Sequence, residues 1–534
     1  MDQSLFGHFK LGRNPEPGMI PHQTTRLMNP LEQYQQHLNR RHFFGRSATG
    51  IGTAALASLL QRDGLATDDL ATQSSGSQSS ANGDLGDRPE SPRIGGLPDL
   101  PHFAPKAKRV IYLFQNGAPT HVDLFDWKPN LKKKHSEPVP ASYIGDRRFS
   151  TMTGKADGKL LLAPVEPFSQ HGESGAWVSN FMPHTARVSD ELCFVKSMHT
   201  EQVNHAPAIN FNLSGGEMPG RPTLGAWLSY GLGSETDELP AFVVMTSITK
   251  NTSCGQIFYD FYWGNGFLPS RYQGVKFRGS GDPVLYVSNP EGISREVRRG
   301  WLDDIAAINE LKLQEFGDPE IATRIAQYEM GFKMQSSIPE LADFSDESQE
   351  TLDLYGPDVK EAGTFAHNCL LARRLIERGS RYVQLMHAGW DQHNSLTTEL
   401  YNQCRDTDQP SAALVMDLKR RGLLEDTLVI WGGEFGRTPF LQGDINNRPR
   451  WGRDHHPYAY TVWMAGGGVK PGISHGSTDD LGINVAKDPV HVHDFQATLM
   501  HLLGIDHERL TYKFQGRQFR LTDVHGKVVD NILA

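Results

Sequence analysis

The sequence has few cysteines, no long apolar run and no strong charge bias. Among 534 residues it contains only four cysteines, Cys193, Cys254, Cys369 and Cys404, with no CxxC spacing. This pattern argues against a disulfide scaffold and against a thiolate zinc site, and it leaves one or two unassigned disulfides open. The net charge of −9 is modest and spread along the chain, which predicts no nucleic-acid partner. The length suits one large α/β domain or two to three smaller ones.

The N-terminal region carries a predicted export signal. Arg40 and Arg41 precede two phenylalanines and a mildly apolar run, 48–60, rich in glycine and alanine. That run is too short for a stable membrane span, and twin arginines before such a run resemble a twin-arginine signal peptide. A surface helix with two basic residues is the alternative. We predict that residues 1–61 form an extension and signal peptide. The mature chain would then lack an integral membrane span and be periplasmic or secreted from a bacterium.

Residues 62–106 predict a disordered linker. They include the stretch "TQSSGSQSSANGDLGDRPESP", which is poor in apolar residues. Such a composition buries too little apolar surface to offset the entropy of ordering the chain. The folded domain is therefore predicted to span 107–534, and "RVIYLF" supplies its first buried strand.

Apolar strands alternate with amphipathic helices along this domain. The predicted strands are Arg109–Phe114, Cys193–Lys196, Ala241–Met245, Tyr382–Met386, Thr427–Trp431 and Thr461–Met464. Repeated helix-then-strand order predicts an α/β fold with a mostly parallel central sheet and helices on both faces. Residues 255–365 interrupt the rhythm and are predicted to be an insertion or cap.

Acids and histidines lie near the ends of three predicted strands. Asp391 and His393 follow one strand, Glu434 follows the next, and His455 precedes the last. Ligands of open α/β sheets bind beyond the carboxyl ends of the strands, and nitrogen and oxygen ligands suit zinc, iron or manganese. We predict these four residues as metal ligands. The competing interpretation makes Glu434 an ordinary loop acid.

Other polar residues at the same edge are candidates for catalysis and substrate binding. Asn204 and His205 stand where a helix begins after the 193–196 strand, and a helix N-terminus favours an anion. We predict both as catalytic residues. Asn116, at the end of the first strand, and Arg437 are predicted to bind substrate. A hydrogen-bonded turn is the alternative for the segment around Asn116.

Eight segments in order resemble a bacterial family known as domain of unknown function 1501, across about residues 107–525. They are "GAPTHVDLFDWKP", "NHAPAINFNLSGG", "LLARRLIERGSRYVQL", "GWDQHNS", "GGEFGRTP", "GRDHHPYAYTVWMAGGGVKPG", "STDDLG" and "HDFQATLMHLLGID". The resemblance implies a fold similar to the alkaline phosphatase–sulfatase superfamily, and members of the family are often labelled sulfatases.

The resemblance also implies positions for the metal ligands of that superfamily. Asp391 and His393 resemble its late Asp…His pair, with one residue between them rather than three. Glu434 resembles the acid of its Asp-His-Gly, while Phe435 replaces the histidine. The final histidine of the superfamily resembles His455, with the next residue as an alternative.

The nucleophile half of the superfamily's site is not reproduced. Its nucleophile position corresponds to Asn204 and His205, where no cysteine or serine stands. Its first-strand aspartate is replaced by Gln115 or Asn116, unless Asp123 substitutes. A metal-activated water needs no protein nucleophile. The sequence therefore predicts an exported hydrolase of sulfate or phosphate esters that uses zinc, calcium or manganese.

The predicted substrate is a small-molecule or polysaccharide ester. The aromatic stretch 258–267 would stack on sugar rings, unless it forms the packed interior of the cap. Two other functions stay open: a non-catalytic member of the fold that binds carbohydrate or a protein partner, and a metal-dependent hydrolase of another ester or an amide.

Overall fold

The computed structural model describes residues 94–145, 147, 158–249, 257–279, 284 and 288–534. The predicted signal peptide, with Arg40 and Arg41, and the predicted linker as far as residue 93 lie outside the described residues. Within the described ranges, no helix combines the length and the apolar character needed to cross a membrane.

The described residues form helices and strands with the following bounds. The strands are β1 (Arg109–Asn116), β2 (Phe168–His171), β3 (Ala176–Ser179), β4 (Leu192–His199), β5 (Phe242–Ile248), β6 (Val275–Phe277), β7 (Tyr382–Ala388), β8 (Thr427–Gly432), β9 (Gly436–Gln442), β10 (Gly452–His456), β11 (Tyr460–Ala465), β12 (Ile473–His475), β13 (Ser477–Thr478), β14 (Val485–Lys487), β15 (Val490–His491), β16 (Tyr512–Phe514) and β17 (Arg517–Phe519). The α-helices are α1 (His121–Leu124), α2 (Pro129–Lys133), α3 (Ala141–Ile144), α4 (Pro183–Arg187), α5 (His205–Ser214), α6 (Leu224–Leu232), α7 (Arg295–Phe316), α8 (Pro319–Ala342), α9 (Gln349–Tyr355), α10 (Phe365–Glu377), α11 (Leu396–Arg420) and α12 (Val492–Leu502).

A nine-stranded sheet forms the centre of the domain. Its order is β12-β4-β11-β8-β1-β7-β5-β6, and β15 also pairs with β4. Every strand pair in it is parallel except those of β11, which runs antiparallel to β4 and β8. All six predicted strands lie in this sheet, so the predicted α/β class with a mostly parallel sheet is confirmed. The reversal of β11 carries no signal in the sequence, because apolar patterning reports burial and not strand direction.

Alternating side chains of β1 enter two different cores. Ile111 and Leu113 pack with residues of α10 and α11 on one face of the sheet. Tyr112 and Phe114 pack with residues of α5, α6 and α12 on the other face. Both faces are therefore covered, which is why β1 reads as an unbroken apolar run.

The chain is already attached to the domain before the predicted boundary at residue 107. Ile94 forms a bridge with Ser234, and the Leu97 N–H donates to the Gly231 carbonyl oxygen at 2.8 Å. The Lys106 N–H likewise donates to Leu502. The prediction of a disordered linker is therefore corrected for residues 94–106, since composition does not show that these backbone groups find partners.

The predicted insertion, 255–365, is partly built into the sheet. Its strand β6 pairs in parallel with β5 and forms one edge of the central sheet. Its long helices α7 and α8 pack against each other as an antiparallel hairpin, with Arg299 bonded to Glu329.

Candidate metal centre

Four side chains converge at the carboxyl edge of the sheet. His205, Asp391, His393 and His455 each offer one nitrogen or oxygen atom, and these atoms all lie within 4.8 Å of one another. We call these four residues the ligand cluster. Among the described residues, they form a site that could hold a metal ion.

Separate elements bring the four side chains together. His205 is the first residue of α5, which follows β4. Asp391 and His393 lie in the turn after β7, and His455 lies on β10, opposite Arg437 of β9. The parallel strands β1, β7 and β8 end at the same edge, so their following turns meet there.

Each imidazole of the ligand cluster is anchored through Nδ1 to an oxygen atom outside the cluster. The contacts are His205 Nδ1 to Glu434 Oε1 at 2.5 Å, His393 Nδ1 to Gln442 Oε1 at 2.6 Å, and His455 Nδ1 to the Val203 carbonyl oxygen at 2.6 Å. These oxygen atoms accept hydrogen bonds, so each Nδ1 carries the proton and each Nε2 keeps a lone pair in the neutral ring. The lone pair of His393 Nε2 faces Arg437 Nη1 at 3.5 Å. Such outer contacts fix the tautomer and orientation of metal-binding histidines.

All three Nε2 atoms face one carboxylate oxygen, Asp391 Oδ1. The distances are 3.2 Å from His205, 2.8 Å from His393 and 3.5 Å from His455. The Nε2 atoms of His393 and His455 lie 3.0 Å apart. Two nitrogen lone pairs cannot face each other at that distance without a proton or a cation to share. The donor set therefore fits a divalent ion with nitrogen and oxygen ligands.

The charges around the cluster favour the ionised acid and a neutral His455. Burial alone would raise the pKa of Asp391, but the Arg437 guanidinium and the imidazole hydrogen bonds hold it far below its usual range. Burial lowers the pKa of His455 to about 4, helped by Arg437 and opposed by Asp391. For His205, burial would lower the pKa, but hydrogen bonds with Asp391 and Glu434 raise it overall.

Arg437 lies behind Asp391, with its side chain fully buried. Its Nη2 is 2.5 Å from Asp391 Oδ1 and also donates to the Gly117 carbonyl oxygen. Its Nε donates to the carbonyl oxygen of Ala118 at 3.1 Å. The structure thus places Arg437, predicted to bind substrate, where it orients the Asp391 carboxylate.

Glu434 lies behind His205 rather than within the group of four. Its Oε1 contacts His205 and accepts a hydrogen bond from the Gly117 N–H at 3.0 Å, while Oε2 is buried with no hydrogen-bond partner among the described residues. Gly117 has a φ of +109°, and a Cβ there would lie 2.7 Å from the Asp391 nitrogen. Glycine is required at this position because β1 ends against the turn that carries Asp391.

The remaining predicted site residues surround the cluster. Asn116 is fully buried, and both polar atoms of its side chain lack a hydrogen-bond partner within the part of the chain described. Asn204 is the residue that precedes α5. Phe435 packs its ring against His205 and His455, at centroid distances of 4.9 and 5.0 Å, and so forms a wall of the site.

Two residues that the sequence offered as alternative site residues, His456 and Asp123, make contacts outside the ligand cluster. His456 turns away from the ligand cluster and stacks on His121, with the ring centroids 5.6 Å apart. Asp123 accepts from Arg453 Nε at 2.6 Å and Arg453 Nη2 at 3.0 Å, and from Thr120 Oγ1 at 2.7 Å. We call Asp123, Arg453 and Thr120 the paired cluster.

The outer contacts of the site have no sequence signature. Sequence reasoning identified all four cluster residues, although it gave His205 a catalytic role rather than a place among the ligands. It missed Gln442 and the Val203 carbonyl group. A backbone carbonyl is present at every residue, so no residue type marks the one that anchors His455.

Comparison with known proteins identifies a family and a set of distant structural neighbours. The family described as protein of unknown function (DUF1501) matches residues 107–533. No curated protein matches the chain.

The structural neighbours include three proteins of low sequence identity. The lipoteichoic acid synthase LtaP from Listeria monocytogenes is 9% identical, with a TM-score of 0.32 over 78% of this chain and 75% of that chain. The PsFucS1 sulfatase from Pseudoalteromonas sp. is 12% identical, with a TM-score of 0.31 over 76% and 68%. A protein in the alkaline phosphatase superfamily from Vibrio parahaemolyticus is 12% identical, with a TM-score of 0.28 over 78% and 73%. At these scores the likenesses say nothing about the activity of this chain.

Proposed function

The chain belongs to the DUF1501 family of proteins of unknown function, and from this premise we propose that it is a metal-dependent hydrolase of sulfate or phosphate esters. The observation that carries the proposal is the convergence of three anchored imidazoles on Asp391 Oδ1. A bound divalent ion would supply a Lewis acid and a water of lowered pKa at that point.

The donor set narrows the choice of metal. Three of the four converging atoms are imidazole nitrogens. Calcium takes oxygen ligands, whereas zinc and manganese accept imidazole together with carboxylate. Of the three predicted ions, we therefore propose zinc or manganese and set calcium aside.

The chain's own residues would prepare the substrate without a covalent intermediate. His205 occupies the start of α5, where a nucleophile would stand, and its ring is directed to the ligand cluster. The amide of Asn116 has no hydrogen-bond partner among the described residues and offers a donor for an ester oxygen. Arg437 keeps Asp391 ionised, and Glu434 holds the His205 ring in place. Hydrolysis by water fits this set of residues better than transfer through a side chain.

A ring-bearing substrate is supported by an aromatic pair near α5. The rings of Tyr259 and Phe261 stack at 5.1 Å and 9°, and Tyr259 is 39% exposed. They belong to a segment whose short helical turn, Asp260–Trp263, packs on α5, the helix that begins at His205. Exposed aromatic faces stack on sugar rings, so a sulfated or phosphorylated polysaccharide is the proposed substrate class.

The test combines metal analysis with a substrate screen on the same preparation. We expect about one ion per chain, and hydrolysis of p-nitrophenyl sulfate or phosphate that chelation removes and zinc or manganese restores. The His455→Ala variant should lose both metal and activity. Absence of metal would favour a non-catalytic binding protein. Bound metal with cleavage only of carboxyl esters or amides would favour the other hydrolase.

The proposal includes export by the twin-arginine route, which carries folded proteins. Arg40 and Arg41 before the apolar run motivate it. Replacing both by lysine should trap the precursor in the cytoplasm, as measured by fractionation and immunoblotting. Unchanged export of the double variant would contradict this route.

A further inference from the structure

Helix α7 exposes a continuous apolar stripe to solvent. Five large apolar side chains, spaced three or four residues apart, are each more than a third exposed. They are Val297 at 45%, Trp301 at 51%, Ile305 at 38%, Ile308 at 46% and Leu311 at 67%. At 100° per residue they fall on one side of the helix, and we call them the α7 stripe.

The stripe is not the face that joins α7 to its own domain. That face carries Leu302, which is buried, and Ala306, Asn309 and Leu313, which are partly covered by the hairpin partner α8. Angularly, these residues lie about 120° from the stripe. Helix α7 is therefore apolar on two sides, and one of them has no partner among the described residues. Exposed apolar patches of this kind mark association sites.

The charges of α7 argue against a lipid surface as that partner. The helix holds four basic and five acidic residues, so its net charge is slightly negative. Helices that lie on membranes are rich in lysine and arginine on their polar face. Asp304 and Glu315 also lie close to the stripe, where they would meet anionic headgroups unfavourably.

We propose that the α7 stripe is a self-association surface, on which α7 of a second copy of this chain packs in antiparallel orientation. The apolar side chains of the stripe match those of a second stripe that runs in the opposite direction. If the two-fold axis passes between residues 304 and 305, Val297 lies opposite Leu311 and Trp301 lies opposite Ile308. Ile305 then lies beside its own copy. Asp304 lies beside its own copy at the opposite edge of the contact, and this pair of like charges weakens the association. The same set of contacts forms twice, as an isologous two-fold interface requires.

The apolar area that this contact would bury indicates a weak dimer. Five large side chains at about half exposure present roughly 400 Å² per copy, so the pair buries roughly 800–1,000 Å² in total. Specific interfaces of this size are at the low end of the known range and typically transient. Helices packing through residues at three- and four-residue spacing achieve close contact at such an interface.

Sedimentation of the full chain tests the proposal. From about 1 to 100 µM, the native chain should shift reversibly from monomer to dimer. The double variant Ile305→Glu/Ile308→Glu should remain monomeric, because dimerisation would bury four unpaired carboxylates. Val524→Glu is the matched control, since Val524 is an apolar residue 71% exposed outside the stripe, and it should dimerise like the native chain.

Crosslinking tests the orientation. Ile305→Cys chains should crosslink to one another with a short thiol-reactive reagent. A mixture of Val297→Cys and Leu311→Cys chains should also crosslink, whereas Val297→Cys alone should not. The native chain reports any background from its own four cysteines.

Three outcomes would overturn the proposal. They are a native chain that is monomeric at the highest concentration, a dimer that survives the double glutamate variant, and self-crosslinking of Val297→Cys alone. Sedimentation with vesicles of phosphatidylcholine and phosphatidylglycerol that the double variant abolishes would identify a lipid surface instead. None of these results depends on the proposed hydrolase activity.

Discussion

The ligand cluster and the paired cluster are two groups of buried polar residues near the same edge of the sheet. In the paired cluster, both oxygens of Asp123 accept hydrogen bonds, and the Arg453 side chain donates to that carboxylate and to nearby carbonyl groups. In the ligand cluster, each of the three imidazoles donates from Nδ1 to an acceptor outside the cluster and directs Nε2 to Asp391. The first set is complete in itself, whereas the donor atoms of the second set converge on one point where a cation would bind.

The difference shows how a buried acid with a structural role can be told from a buried acid that binds a ligand. Both aspartates are buried and both follow or precede histidines in sequence. Buried charges are stable only when paired, so a full set of protein partners indicates a structural role. Several lone pairs aimed at one point indicate a place for a ligand.

The strongest test of this comparison replaces two adjacent histidines, one at a time, by alanine. His455→Ala should abolish stoichiometric metal binding, because it removes one of three imidazole donors. His456→Ala should keep the metal while it loses stability through a cavity beside His121. Elemental analysis and urea unfolding of both variants provide the measurement. Equal metal loss in the two variants would remove the distinction between the clusters.

Breaking the paired cluster should have a large effect on stability alone. Asp123→Asn leaves Arg453 buried without its counter-charge, which we expect to cost about 3–5 kcal/mol of unfolding free energy. Bound metal should be unchanged. Glu137→Gln is the control, since it removes an exposed ion pair with Lys134 that contributes at most about 1 kcal/mol. A loss of metal in Asp123→Asn would show that the two clusters act as one.

His387 offers a pH test of a fully partnered histidine. Ser247, Thr249 and Gln403 bond its ring, and burial lowers its pKa from 6.5 to about 4. The folded state thus resists protonation while the unfolded state accepts it. The contribution of neutral His387 to the free energy of unfolding is fully present above pH 6.5. It falls by about 3 kcal/mol as the pH drops to 4.

The neutral variant His387→Gln should show a shallower decline in stability over that pH window than the native chain. Urea unfolding of metal-free protein at pH 7 and pH 5 measures the difference. Parallel declines in the two proteins would show that His387 is not the titrating group.

The smallest expected effect concerns Glu434, which contacts His205. Glu434→Gln keeps the shape of the side chain but weakens the anchor on Nδ1, so metal affinity should fall about 10–100-fold. Competition with a chromogenic chelator measures the affinity. Complete loss of metal would instead support the prediction from the sequence that Glu434 is itself a ligand.

Patterning predicted the sheet better than it predicted the details of the site. The six apolar runs become central strands because a strand covered on both faces must be apolar throughout. The short edge strand β6 had no comparable signal, and the apolar run of β11 predicted a strand but not its reversed direction. Asp391, His393 and His455 were identified by residue type and position. Residue type does not show, however, how far a side chain extends toward the site. His205 extends from the start of α5 into the cluster, whereas Glu434 stops behind it.

The ligand cluster draws on chain segments from residue 205 to residue 455, with β7 and β10 both required to place it. No short peptide of this protein contains the site, and closing such long loops is unfavourable until the sheet exists. Metal uptake would therefore come late, after the strands have paired. A bound ion would then report that a chain has completed its assembly and would add its binding free energy to the finished state alone.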